Sequence, residues 1–216
     1  FLEDILEQAA NAEPGATHII YTNADIILQP SFYLWVIEML ENDNHDALLI
    51  NRRRVSLSFT KKSLSEIWAS PGRPHPGFDC FVFPKSWVPQ LKLEGLCLGV
   101  PFVGVGLAHN LFCLAQNLKV CHEEVLTKHL GLEVLPPVSK EAYRYNKAKF
   151  TAIKKALKEN YDVRRFPYAH RGFLGRMLGW AFNPSLFTKD WAELEGRSVL
   201  YKITFTLNEW RWKLLE

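Results

Sequence analysis

Three short, mainly apolar runs, Thr17–Tyr21, Ala47–Asn51 and Phe78–Phe83, punctuate a chain whose other segments carry helical spacing. Apolar runs this short, rich in β-branched and aromatic residues and bounded by Pro, Gly or Asn, read as buried strands. A helix-period segment precedes the first of them, and helices alternating with buried strands restrict the chain to an α/β architecture. That opening helix, Phe1–Ala10, sets Leu2, Ile5, Leu6 and Ala9 on one face and is in progress at the first residue, with no initiator Met. It reads as a fragment whose upstream part is missing.

Punctuation between the periodic segments gives the rest of the organisation. Glu13-Pro14-Gly15 breaks the first helix, and Pro30 opens a second in which Phe32, Trp35, Val36, Met39 and Leu40 fit the helical template at every step. Ser70–Gly77 holds three prolines and two glycines and predicts a loop. Pro84 stops the third strand. Gly95–Gly106 carries four glycines among apolar residues, after which Leu107, Leu111, Leu114 and Leu118 mark a helix. Thr127–Gly131 is expected on a loop. Ser139 to about Tyr161 predicts a long helix with Tyr145, Phe150, Ile153 and Leu157 inward and a solvated basic face. Asp162–Glu216 mixes aromatics with Arg165, Arg171, Arg176, Arg197 and Arg211, and its topology is left unassigned. There is no internal repeat.

Composition removes several classes of function. At 216 residues, 48% hydrophobic and 23% charged, the chain is long enough to bury a sizeable core without disulfides or a structural metal. Twenty-six Lys and Arg against 23 Asp and Glu leave only +3, so there is no basic excess pointing to nucleic acid as a partner. No run of about 18 apolar residues and no basic-then-apolar leader occurs. Cys80, Cys97, Cys113 and Cys121 stand singly in apolar surroundings without a CxxC pair, which predicts buried free thiols and suits a reducing compartment.

Four constellations could carry chemistry. Thr22-Asn23-Ala24-Asp25 ends the first buried strand, the edge at which open α/β sheets bind ligands. A carboxylate there, two residues after a carboxamide, can hold a hard divalent cation and ribose hydroxyls. Asn and Asp serve equally well as turn residues or helix caps. His129 in Thr127-Lys128-His129-Leu130-Gly131 could complete the sphere of an Mn²⁺ or Mg²⁺ ion held by Asp25, and taken alone reads as an ordinary hydrogen-bonded histidine. His75-Pro76-Gly77-Phe78-Asp79 offers Asp79 as a general base or acceptor-hydroxyl ligand, or as a turn-forming Asp. Gly104-Val105-Gly106-Leu107-Ala108-His109-Asn110 lets backbone approach a ligand but lacks the spacing of a dinucleotide or ATP cradle.

Together the strand ending in TNADI, the Pro-rich loop into GFDCFVF, the Gly-rich entry at GLAHN and the later TKHLG resemble nucleotide-sugar glycosyltransferases of the GT-A fold, in their family-2-like group, over roughly Thr17–Asn146. The resemblance implies a Rossmann-like α/β sheet flanked by helices, with the first nucleotide-binding strands missing upstream of Phe1. It implies a partial catalytic domain over 1–138 and a C-terminal helical, aromatic extension over 139–216. Thr22, Asn23, Ala24 and Asp25 would form the nucleotide and metal motif, Asp25 and His129 the metal ligands, and Asp79 the acceptor-side residue. Asn23 replaces the usual acid. His109, followed by Asn110, stands where inverting members carry an Asp or Glu base; it could accept a proton as a catalytic residue, and the base stays unassigned. The implied cofactor is Mn²⁺ or Mg²⁺, the donor a nucleoside-diphosphate sugar, and the acceptor a carbohydrate or glycoconjugate.

Two further readings stay open: a catalytically silent α/β domain that binds a glycan or protein, and a nucleotidyltransferase. Phe166–Phe182 combines bulky apolar residues with His170, Arg171 and Arg176, and reads either as a core helix with snorkelling arginines or as a segment lying on an anionic membrane. A cytoplasmic or membrane-associated location is expected, and a lumenal one stays open because the upstream part is missing.

Overall fold

The computed structural model describes residues 1–75, 78–121, 124–131 and 138–157. Within them run α1 (Leu2–Ala12), β1 (His18–Thr22), β2 (Ile26–Leu28), α2 (Phe32–Glu41), β3 (Ala47–Ile50), β4 (Arg53–Val55), α3 (Leu64–Ala69), β5 (Arg73–Pro74), β6 (Cys80–Pro84), α4 (Val103–Leu114), β7 (Leu118–Cys121), β8 (Thr127–Leu130) and α5 (Lys140–Leu157). Short 3-10 turns cover Leu57–Lys61 and Lys85–Gln90. The fold is mixed α/β.

The strands form two mixed sheets. The first runs β1-β6-β3-β7, with β6 antiparallel to both neighbours and β3 parallel to β7. The second runs β2-β8-β4-β5, with β8 antiparallel to β2 and parallel to β4. In sequence, β1 leads to β2, β3 to β4, β5 to β6 and β7 to β8. Each of these four passages crosses from one sheet to the other, so the crossings gather along one seam.

Alternation along the first sheet builds two apolar layers. Ala47 and Leu49 of β3 face a cluster with Leu2, Leu6, Phe81, Phe83, Leu107, Leu111 and Ile153, while Leu48 and Ile50 face Phe32, Val36, Met39 and Val82. Helices α1, α4 and α5 therefore cover one face and α2 the other, which is why every residue of β3 is buried. Each large side chain so buried is worth about 1.5–3 kcal/mol. Helix α5 adds Ile153 and Leu157 to the same core as α4. Two buried asparagines clamp the loop between β6 and α4: Asn110 accepts from the Lys92 amide and donates to its carbonyl, and Asn146 does the same with Cys97.

Several boundaries differ from those the spacing predicts. Only Leu2 and Leu6 of α1 are buried, while Ile5 and Ala9 face solvent. Leu118 is not on the fourth helix but opens β7, because its pairing with Ala47 extends the sheet beyond the helix end at Leu114. Thr127–Leu130 is not a loop but the strand β8, drawn into extended form by pairing on both sides with β2 and β4. The third strand begins at Cys80 rather than Phe78 and stops at Pro84 as expected. Helix α4 starts at Val103 rather than near Leu107, so Gly104 and Gly106 sit in its first turn. The expected extension of α5 to Tyr161, the C-terminal part from Lys158 onward with Phe166–Phe182, and Pro76 and Gly77 lie outside the described residues.

Those two glycines are there for closeness. A Cβ at Gly104 would stand 2.7 Å from the Phe78 carbonyl oxygen, and one at Gly106 would stand 2.8 Å from Leu96 Cδ1. Backbone cannot yield as a side-chain terminus can. Gly104→Ala is expected to destabilise the protein by about 1–3 kcal/mol through forced displacement. In Gly106→Ala, Leu96 can shift and a helix-propensity gain of up to about 1 kcal/mol offsets the crowding. Urea denaturation of both variants, with Gly104→Ala the less stable, checks the close approach of α4 to the residue before Asp79.

Candidate functional site at the sheet seam

The site assembles where the crossings meet. Thr22, the last residue of β1, pairs with Cys80 in register and donates its hydroxyl to the Asp79 carbonyl at 3.0 Å. The chain then turns, the Ile26 amide bonding the Asn23 carbonyl at 3.2 Å, and this turn exposes Asn23, Ala24 and Asp25. On β8, His129 lies opposite Ile26, and its Nε2 stands 3.1 Å from Asp25 Oδ2. The ring is 8% exposed and the carboxylate 62%, so the pair joins a buried imidazole to an open carboxylate. His129 Nδ1 lies 3.1 Å from the Gly131 carbonyl oxygen, an acceptor only, so Nδ1 carries the proton.

Beside this pair lies a second, more buried group. The Asp79 carboxylate meets Arg52 Nε at 3.3 Å, His75 Nε2 at 3.4 Å and Asn23 Nδ2 at 3.4 Å. Burial raises its pKa above the usual carboxylate range, opposed chiefly by the Arg52 charge; His129, Asp25 and Arg54 act on it as well. His75 is pushed well below the ordinary histidine range by burial and by the cations of Arg52 and Arg54. It is therefore neutral at neutral pH. Asn51 holds this loop in place, its carboxamide donating to the His75 carbonyl and accepting from the His75 amide. Lys128, next to His129, points the other way: its buried ammonium donates to the Ile67, Trp68 and Ser70 carbonyls, tying α3 to β8.

Of the residues singled out from sequence, Thr22, Asn23, Ala24, Asp25, Asp79 and His129 thus share one neighbourhood. His109 is placed elsewhere: its Nδ1 lies 2.7 Å from the Val105 carbonyl one turn back, and its ring meets Phe150 of α5 edge-on at 5.1 Å. Arg52, Arg54 and His75 belong to the site without having been singled out for a role. Three consecutive arginines at the end of a buried strand, on the edge that carries Asp25, were the available signal. Among the described residues no three His, Cys, Asp or Glu side chains converge as a metal cage, and no helix is long and apolar enough to cross a membrane. All four cysteines are free, with burial pushing the Cys80 and Cys121 thiols up to about 12.

Protein-family models, curated proteins and solved structures return no match for the chain.

Imidazoles whose pKa burial lowers, His75 and His109 foremost, make stability depend on pH. Burial lowers the pKa of His109 as well as that of His75, so the unfolded chain binds their protons more tightly than the folded one. Stability is then complete above about pH 6.5 and falls as the pH drops below it, by about 1.4 kcal/mol per pH unit for each ring until its folded pKa is reached. Thermal melts between pH 7.5 and 5.5 should show this fall, and His75→Gln or His109→Leu should flatten it.

Proposed function

We propose that this chain belongs to a metal-dependent glycosyltransferase of the GT-A fold, which moves a sugar from a nucleoside-diphosphate donor to an acceptor hydroxyl. The observation that carries the reading is His129 Nε2 facing Asp25 Oδ2 at 3.1 Å while Nδ1 is committed to the Gly131 carbonyl. In that tautomer a nitrogen lone pair points at a carboxylate oxygen, an arrangement that calls for a cation. A proton would serve. So would a divalent ion: neighbouring ligands at about 2.1 Å in an octahedron stand about 3.0 Å apart, close to the separation seen. A ring oriented by a backbone carbonyl is the usual support of a metal-bound histidine.

Two protein ligands leave the remaining positions to phosphate oxygens and water, as suits Mn²⁺ or Mg²⁺. When bound, the ion supplies neutralisation of the charge developing on the leaving diphosphate. Asn23 and Ala24 are exposed on the turn with Asp25, where Ala24 and the Asn23 carboxamide oxygen face the side assigned to the nucleotide. Thr22 braces that turn against Asp79. Asp79, whose pKa burial raises, is assigned to the acceptor side.

One observation favours a catalytically silent binding domain instead. Asp79 Oδ1 accepts from Asn23 while Oδ2 faces the Arg52 cation, and His109 faces the α4/α5 interface, so no side chain of α4 is offered as a base.

Mn²⁺ titration followed by electron paramagnetic resonance, run alongside product analysis with nucleotide sugars, separates these readings. The transferase binds Mn²⁺ and releases a nucleoside diphosphate, whereas a nucleotidyltransferase releases pyrophosphate. Asp25→Ala and His129→Ala should each weaken Mn²⁺ binding at least about tenfold and abolish transfer. Full transfer by Asp25→Ala overturns the metal assignment, and a protein that binds glycan without metal and releases no diphosphate is the silent domain.

A further inference from the structure

Helix α5 carries Lys140, Arg144, Lys147, Lys149, Lys154 and Lys155 against the single acid Glu141, in a chain whose net charge is only +3. The excess is not spread around the helix. At about 100° per residue, Lys154, Lys147, Lys140, Arg144 and Lys155 fall within an arc of about 100°, interrupted only by Thr151. All six of these residues are exposed. Asn146, Ile153 and Leu157 occupy the adjoining arc that packs inward, and Lys149 lies on the far side over the Tyr145 ring. From Lys140 to Lys155 the stripe runs straight for about 22 Å at 1.5 Å per residue. Among the described residues none of its five cations makes an ion pair.

We propose that this stripe docks the protein onto an anionic lipid surface. Five like charges on one arc repel one another, and a partner of opposite charge relieves that repulsion. A straight row on a convex helix suits a flat anionic plane. Single-stranded nucleic acid is the poorer fit, since the two rings bordering the arc are already committed, Phe150 beneath the Lys154 ammonium and Tyr143 against Phe102, which leaves no stacking platform for bases. The apolar face of α5 is spent on α4, so attachment is electrostatic and peripheral, without insertion of the helix. The inference does not rest on the glycosyltransferase reading, and neither Asp25 nor His129 takes part in it.

The test is co-sedimentation of the protein with phosphatidylcholine vesicles containing about 30% phosphatidylserine, against vesicles of phosphatidylcholine alone. Binding should require phosphatidylserine and fall steeply between about 0.1 and 0.5 M salt. Each cation near the surface contributes about fivefold to partition, so Arg144→Gln, Lys147→Gln and Lys155→Gln together should lower it about a hundredfold, while Lys149→Gln leaves it within about twofold. Arg144, Lys147 and Lys155 are exposed and Lys149 is half-buried, and an unchanged melting temperature confirms that the variants are folded. Equal binding by the triple variant overturns the proposal and assigns any attachment to another part of the chain. Loss of binding to single-stranded RNA in the triple variant, with vesicle binding unaltered, overturns it in favour of nucleic acid.

Discussion

The passage of the chain from one sheet into the other at Asn51 and Arg52 is the constraint on which the rest of the structure depends. Asn51 holds three strands' worth of backbone at once: its amide bonds the Cys121 carbonyl, its carbonyl accepts the Thr127 hydroxyl, and its carboxamide grips both backbone groups of His75. Cys121 ends β7 and Thr127 begins β8, so the register of the second sheet is fixed relative to the first at this point. Everything that brings His129 against Asp25 follows from that register.

The seam is polar because it lies at the strand ends, at the border of the two apolar layers that flank the first sheet. Arg54 is 0% exposed and sits opposite His129 in the β4/β8 register, and Arg52 is buried against Asp79. Buried charges are tolerated where opposite charge and hydrogen bonds surround them, and are costly elsewhere. The crossings supply the opposite charge, since the strand ends bring Asp79 against Arg52. Asp79 and His75 are consequently buried deeply enough for their protonation to shift, whereas Asp25, on the outer turn, keeps its carboxylate open to a ligand. A buried charged cluster beside an exposed carboxylate is the division of labour the proposed function draws upon.

Much of the scaffold was legible in the chain. The helix around Phe32–Leu40 and the strands at Thr17, Ala47 and Phe78 show their periods directly, because each buries its own apolar pattern, whereas Ser139–Leu157 buries Ile153 and Leu157 but leaves Tyr145, expected inward, exposed. Thr127–Leu130 was not legible: it contains Lys128 and His129, and its extended form comes from partners some 75 to 100 residues away. Leu118 shares the leucine spacing of α4 yet belongs to β7, and the glycines that resemble a loop are a helical first turn pressed against Phe78 and Leu96. The pairing of Asp25 with His129 was anticipated from motif order. The roles of Arg52, Arg54 and His75 were not, since no local pattern says that a polar residue will be buried.

By itself the sequence determined the α/β class, the apolar faces of the main helices and the strand ends where Asp25 and Asp79 stand, because these are set by residue spacing within one element. Tertiary structure alone decided that four crossings share one seam, that β8 is a central strand, and that His109 turns to Phe150 while His129 turns to Asp25. Those outcomes are decided by pairing between distant segments, and hydrogen-bond register across a sheet leaves no periodic trace in the strand that joins last.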